Sequence, residues 1–266
     1  MIIVKVGGAA GINYDNVADD IALLVKKKQK IILVNGGKSE LETISTKLGN
    51  PPNWVKTASG YTSRRTDKNT IEMFTMVYAG KMNKMIVEKL QQKGVNAVGL
   101  SGLDGKLIVA KKKNIVIIEG EKKKILRDDY TGKIIEVNSK ILKILLKEGY
   151  TPVICPPAIS EENQALNVDG DRLAAAIAES LKADTVIYLS NVPGLLKNKD
   201  DEKTLIKEIN KKNLNEFMQY AQGTMKKKVM GAMEAVEKGV KQVVFADARA
   251  KNPLQNALKG KGTVIQ

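Results

Sequence analysis

The feature that most limits what this chain can fold into is the alternation of strand-like and helix-like segments from its first residue. Ile2–Val6 is a short β-branched run ending at Gly7-Gly8, and Asp15–Lys28 has helical apolar spacing at Val17, Ile21, Leu24 and Val25. Ile31–Val34 is a second buried-type strand stopped by Gly36-Gly37, and Ser39–Leu48 reads as a helix broken by Pro51-Pro52. Lys68–Lys93 reads as one long or kinked helix closing at Gly94, with Ala97–Leu100 a strand beyond it. Later come helix Ser139–Lys147, strand Thr151–Cys155, helix Arg172–Leu181, strand Thr185–Leu189, helix Met225–Lys238 and strand Gln242–Phe245. This order predicts an α/β protein, a mainly parallel sheet covered by helices on both faces. The middle differs: Lys106–Ala110, Ile115–Glu119, Lys123–Leu126 and Lys133–Val137 are short and turn-separated, and predict a small antiparallel β-hairpin insert. The loop Pro156–Ala165 is the candidate lobe boundary.

Composition narrows the chemistry. The 266 residues include no histidine and one cysteine. A catalytic dyad or triad on His is excluded, as is a His-ligated metal. One thiol forms neither an internal disulfide nor a Cys cluster, so the expected setting is reducing and cytoplasmic. No apolar run approaches the roughly 20 residues that cross a bilayer, and Met1–Gly8 is not a signal peptide, so no membrane role is expected. The net charge of +15 asks for anionic company or for solvation alone. Nucleic acid is not expected as the partner: aromatics are 4%, the lysines are dispersed, and no nucleic-acid-binding pattern is present. Only five of the 44 basic residues are Arg, which makes the pair Arg64-Arg65 stand out.

Several segments could carry chemistry. Gly7-Gly8 and Gly36-Gly37 follow the first two strands, where loops of a parallel sheet open into the ligand crevice. Glycine there allows close approach to phosphate, or simply a tight turn; neither loop is a Walker or G-x-G-x-x-G motif. Lys5 lies inside an apolar strand, which means either a solvent-facing edge or a compensating anion. Arg64 or Arg65 could clamp a carboxylate bidentately, or form a solvated turn, with Thr66 or Asp67 capping the next helix. In Asn167-Val168-Asp169-Gly170-Asp171-Arg172, Asp169 or Asp171 is a candidate N-cap, and Asp171 could instead orient lysines. Lys226-Lys227-Lys228 open a helix against its macrodipole, which favours an anion at that end. Between Gly105 and Lys124 there are seven Lys and two Glu, a solvated surface or a docking patch.

Together these segments resemble the amino acid kinase family in its acetylglutamate kinase branch. The resemblance runs from Lys5-Val6-Gly7-Gly8 through Gly36-Gly37, Arg64-Arg65-Thr66-Asp67 and Asn167–Asp171 to Tyr188-Leu189-Ser190-Asn191-Val192-Pro193-Gly194-Leu195 and Gly223–Lys228. Gly11–Tyr14, Gly99–Gly105, Asp129–Gly132, Gln222–Ala232 and Val244–Asp247 look most like members acting on aminoadipate held by an amino-group carrier protein. The chain departs from the family pattern at Asn35, commonly His, and at Lys38, commonly a small residue.

The resemblance implies a three-layer αβα sandwich. Residues 1–160 form a lobe for the amino acid and dimerisation, 161–266 a lobe for ATP, and one sheet runs through both. It implies phosphorylation of the side-chain carboxylate of aminoadipate or glutamate carried by a small acidic amino-group carrier protein, with ATP and Mg²⁺, in a homodimer. A carboxylate is already ionised at neutral pH, which suits a chain without His. Lys5, Lys228, Asp171 and Gly8 are the implied catalytic group. Gly36, Gly37, Arg64, Arg65 and Asn167 are the implied substrate residues. Gly7, Gly8, Ser190, Asn191, Val192, Gly194, Leu195 and Met225 are implied for the nucleotide, and no cluster of protein metal ligands is implied. The alternative is a kinase for free N-acetylglutamate.

Overall fold

The computed structural model describes residues 1–58, 60, 62–119 and 122–266. The chain opens with β1 (Ile2–Val6), α1 (Tyr14–Lys26), β2 (Ile31–Asn35), α2 (Lys38–Lys47), and the hairpin β3 (Trp54–Lys56) and β4 (Thr62–Arg64). A helical stretch follows as α3 (Lys68–Thr75), a π-helical segment Met76–Met82, and α4 (Asn83–Gln92). Then come β5 (Ala97–Gly102), β6 (Ile108–Lys112), β7 (Ile115–Glu119), β8 (Lys122–Leu126), β9 (Gly132–Val137), α5 (Ser139–Lys147) and β10 (Thr151–Ser160). The last part holds β11 (Ala165–Leu166), α6 (Gly170–Leu181), β12 (Thr185–Ser190), β13 (Glu208–Ile209), α7 (Leu214–Met218), α8 (Gly223–Glu237), β14 (Gln242–Asp247), α9 (Pro253–Leu258) and β15 (Thr263–Ile265).

β1 is central, parallel to β12 on one side and β2 on the other, and the sheet order is β13-β15-β14-β12-β1-β2-β10-β6-β9. Strand alternation sends Ile3, Val34, Val186 and Tyr188 into one core with α5, α6 and α8. It sends Val4, Leu33, Ile187 and Val244 into another core with α1, α4 and α9. Helices therefore cover both faces, and the three-layer αβα expectation holds.

Two local readings change, and for the long or kinked helix the kinked form is the one observed. β10 does not stop at Cys155: it runs through Pro156-Pro157 to Ser160, because its first half pairs with β5 and its second half with β6 and β11. The turn in that region is confined to 161–164. The four middle strands are not one separate insert. β7 and β8 pair as an isolated hairpin, whereas β6 joins the main sheet beside β10 and carries β9 antiparallel to it. The basic stretch from Gly105 to Lys124 includes 120 and 121, which lie outside the described residues. The long helix is interrupted by the π-helical turns around Gly80, which rotate its buried face from Ile71 and Phe74 to Ile86 and Leu90.

One buried carboxylate ties the far helix down. Asp20 on α1 is inaccessible to solvent and accepts from the N–H of Leu254 (2.7 Å) and of Gln255 (3.1 Å) and from Gln255 Nε2 (2.6 Å). It caps α9 across the interior, since Asn252 at the N-cap makes no side-chain bond there. Asp20→Ala should lower the unfolding free energy on the order of 3 kcal/mol, since each orphaned buried donor costs roughly 1–3 kcal/mol. Urea denaturation of the variant checks this.

Candidate active site

Lys5 is not at an edge. β1 is the central strand, and alternation places Lys5 on the same face as Ile3, toward α6. Its Cε lies against the start of α6, where a Cβ on Gly170 would stand 3.4 Å away. Its ammonium meets Asp171 Oδ1 at 2.7 Å, and Lys228 Nζ from α8 meets Asp171 Oδ2 at 3.2 Å. All three side chains are at least four-fifths buried. Burial works against ionisation of Asp171, but Lys5 and Lys228 outweigh it and hold the carboxyl at about 2. Burial and the neighbouring Lys5 charge lower the pKa of Lys228, with Asp171 pulling the other way. Asp171 is free for this role because Asp169 is the N-cap of α6, accepting from the N–H of Asp171 and Arg172.

The two glycine loops touch each other. A Cβ on Gly8 would strike the backbone nitrogens of Gly37 and Lys38, and one on Gly36 would stand 2.7 Å from the nitrogen of Gly8. The Gly8 carbonyl accepts from Ser39 N–H at 2.8 Å and Gly36 N–H donates to Val6 O at 2.9 Å. Among the described residues no group accepts from the N–H of Gly8. These close contacts require glycine and leave a backbone donor just beyond the strand that carries Lys5. Gly7 N–H donates to Leu189 O, which seats the loop against the end of β12.

Beyond β12, Ser190 Oγ bonds Val192 O at 3.3 Å, and Leu195 is buried with its N–H held by Thr263 Oγ1 at 2.8 Å. Ser190, Asn191, Val192 and Gly194 thus belong to a turn at the carboxyl edge of the sheet, and Leu195 anchors it in the core. Met225 packs against the same core from α8.

The expected substrate residues fall on the other flank. Arg64 Nη2 is paired with Glu42 Oε1 at 2.7 Å, and its Nε is buried without a partner. Arg65 pairs with Asp128, and its Nε is likewise buried and unpartnered. Asn167 Nδ2 donates to Thr66 Oγ1 at 3.0 Å, and Asp67 caps α3 through Thr70 N–H. Buried Asp129 accepts from the N–H of Thr66 and Thr131, fastening the arginine turn to the β8–β9 connection and hence to Asn167. Glu42, Trp54 and Asn83 carry no local sequence signal, because each acts on a partner distant in the chain; Asp129 falls in the Asp129–Gly132 stretch of the resemblance, but its bond to Thr66 is equally remote in sequence. Asn35, the departure from the family pattern, is buried; its Nδ2 bonds Gly36 O and its Oδ1 accepts from Asn83, supporting the second glycine loop from beneath. A cavity of about 720 Å³ borders this region at Asp169 and Arg172 but is lined by none of Lys5, Asp171 or Lys228.

A family model described as the amino acid kinase family matches residues 1–247. Over the full length of both chains, the protein is 52% identical to the LysW-aminoadipate kinase of Thermus thermophilus. It is 34% identical, again over the full length of both, to the acetylglutamate kinase of Methanopyrus kandleri. The fold matches N-acetylglutamate synthase from Neisseria gonorrhoeae with a TM-score of 0.79 at 22% identity, covering 99% of this chain and 58% of that one. A β-α scaffold with paired glycine loops, two lysines locked on one aspartate and full-length relatives of this kind have one reading: the chain belongs to the amino acid kinase family.

Proposed function

We propose that this protein transfers the γ-phosphoryl group of ATP to the side-chain carboxylate of aminoadipate, and of glutamate, carried by amide linkage on a small acidic LysW-like protein. The product is an acyl phosphate in lysine, and for glutamate arginine, biosynthesis. The observation that carries the reading is the Lys5–Asp171–Lys228 trio beside the touching glycine loops. Full-length identity of 52% to a LysW-aminoadipate kinase supports the substrate class.

The reaction needs no general base, because the attacking carboxylate is ionised. The chain must instead align two anions and neutralise charge on the transferring oxygens. Lys5 and Lys228 do this, and Asp171 keeps their ammoniums from turning away from each other. Gly8, with Gly37, gives backbone N–H groups to phosphate oxygens. Gly7, Ser190–Gly194 and Met225 border the nucleotide. Arg64 grips the α-carboxylate, Asn167 the amide that blocks the amino group, and Arg65 faces the carrier. In this reading residues 1–160 hold the amino acid and the dimer contact, and 161–266 hold ATP; the protein works as a cytoplasmic homodimer.

The donor set fits a Mg²⁺ held by the nucleotide, since both Asp171 oxygens face ammoniums and no group of three acidic, Cys or His ligands occurs among the described residues. When bound, the ion neutralises phosphate charge. No helix among the described residues is long and apolar enough to cross a membrane.

The carrier fits the basic face. Lys111 and Lys122–Lys123 are exposed, whereas Lys112 lies 4.4 Å from the Tyr130 ring and donates to Arg127 O. Lys113 borders the large cavity; burial and the charges of Lys227, Arg172 and Lys133 lower its pKa against the pull of Asp169. The second reading, phosphorylation of free N-acetylglutamate, is favoured by the Methanopyrus relative. Coupled ATPase assays with carrier-linked aminoadipate, carrier-linked glutamate and free N-acetylglutamate separate the two. Turnover of only the free acid overturns the first.

Lys228→Ala and Lys5→Ala should each lower kcat by about 10²–10³, the usual cost of one preorganised charge partner, with little change in carrier binding by titration. An undiminished kcat assigns the phosphate role elsewhere. As pH rises through the lowered pKa of Lys228 its charge is lost. The alkaline limb of kcat/KM should therefore fall below the ordinary lysine value near 10.4, and Lys228→Arg should move that limb upward. Lys111→Ala with Lys122→Ala and Lys123→Ala should raise KM for the carrier form and flatten its dependence on salt, measured between low and high ionic strength.

A further inference from the structure

The site contains a cation that the phosphoryl-transfer roles leave unused. Lys38 is the first residue of α2, directly after Gly37, and its backbone nitrogen lies against Gly8. A positive side chain there opposes the helix macrodipole, and Gly37 at the N-cap gives no side-chain bond to offset it. Lys38 has no ion-pair partner among the described residues; its ammonium sits 5.2 Å from the centroid of Trp54. The guanidinium of Arg64 sits 5.4 Å from the same ring, and Trp54 faces Arg64 directly across the β3–β4 hairpin. Trp54 is 46% exposed, unusual for the chain's single tryptophan unless the ring has a surface task. Two cations thus share one indole, with a single carboxylate, Glu42, paired to one arm of Arg64. Arg64 Nε has no hydrogen-bond partner and Lys38 no ion-pair partner among the described residues, so two donors remain unmatched by a carboxylate.

We propose that Lys38 and Arg64, seated on Trp54, form a two-cation clamp that selects amino acids with a blocked amino group, and that Lys38 is a specificity-determining substrate residue. The inference rests on the kinase reading above. An amide-linked amino acid brings only its α-carboxylate to the clamp. A free amino acid brings an α-ammonium as well, which the net positive charge of Lys38 and the Arg64–Glu42 pair repels. Cation–π contact keeps both side chains in place, and Glu42 offsets only one of the two charges, so the clamp keeps a net positive charge for the substrate.

The test uses the intact enzyme with ATP and Mg²⁺ and two probes, carrier-linked aminoadipate and free aminoadipate. Lys38→Ala should raise KM for the carrier-linked acceptor about tenfold, the scale of one charge-assisted hydrogen bond, with the loss concentrated there rather than in kcat or in KM for ATP. Lys38→Arg should restore most of it. Lys38→Ala should also narrow the preference for the blocked over the free amino acid. Trp54→Ala should act in the same direction, with a double variant less than additive; Trp54→Phe keeps a ring and guards against loss of folding in the alanine form. Unchanged acceptor KM in Lys38→Ala, or a loss shared equally by ATP, overturns the clamp while wild-type turnover leaves the kinase reading intact. A wild-type enzyme that phosphorylates no amide-linked amino acid removes both.

Discussion

The structure depends on one buried carboxylate shared by two ammoniums. Lys5, Asp171 and Lys228 come from the central strand and from the two helices packed on one face of the sheet. A lysine in the middle of a sheet is tolerated only where a counter-charge is close, and Asp171 supplies it at 2.7 Å. The pair is nevertheless net positive once Lys228 joins. Folding therefore assembles an excess charge in a place where desolvation makes it strong, which is the condition for stabilising charge on a transferring phosphoryl group.

Sheet topology accounts for where that charge meets the backbone donors. Because β1 and β2 are adjacent and parallel, their glycine turns emerge at the same edge and press together. β12 lies on the other side of β1, so its Ser190–Gly194 turn arrives at the same edge. The crevice at the carboxyl end of a parallel sheet is a consequence of this geometry.

The charge of +15 divides into parts with different physics. Lys5 and Lys228 are buried and held; Arg64 and Lys38 ride on an aromatic ring; Lys112 rests on Tyr130; Lys111 and Lys122–Lys123 project into solvent. Only the last kind is strongly screened by salt, so under the proposed function ionic strength would separate carrier docking from catalysis.

Sequence alone determined the α/β alternation, the parallel sheet and the glycine turns, because these follow from local periodicity and from the steric permissiveness of glycine. It also marked Lys5 and the run Lys226–Lys228 as anomalies, one for a charge within an apolar strand and the other for charge against a helix dipole. What it left open was decided by packing. Asp169 rather than Asp171 caps α6, and that choice releases Asp171 for the lysines. Asp20 caps a helix more than 200 residues away, β10 continues through two prolines, and Trp54 gathers Lys38 and Arg64. In each case the partner is remote in sequence, so its identity depends on which surfaces the folded sheet brings together, information that no local pattern of residues contains.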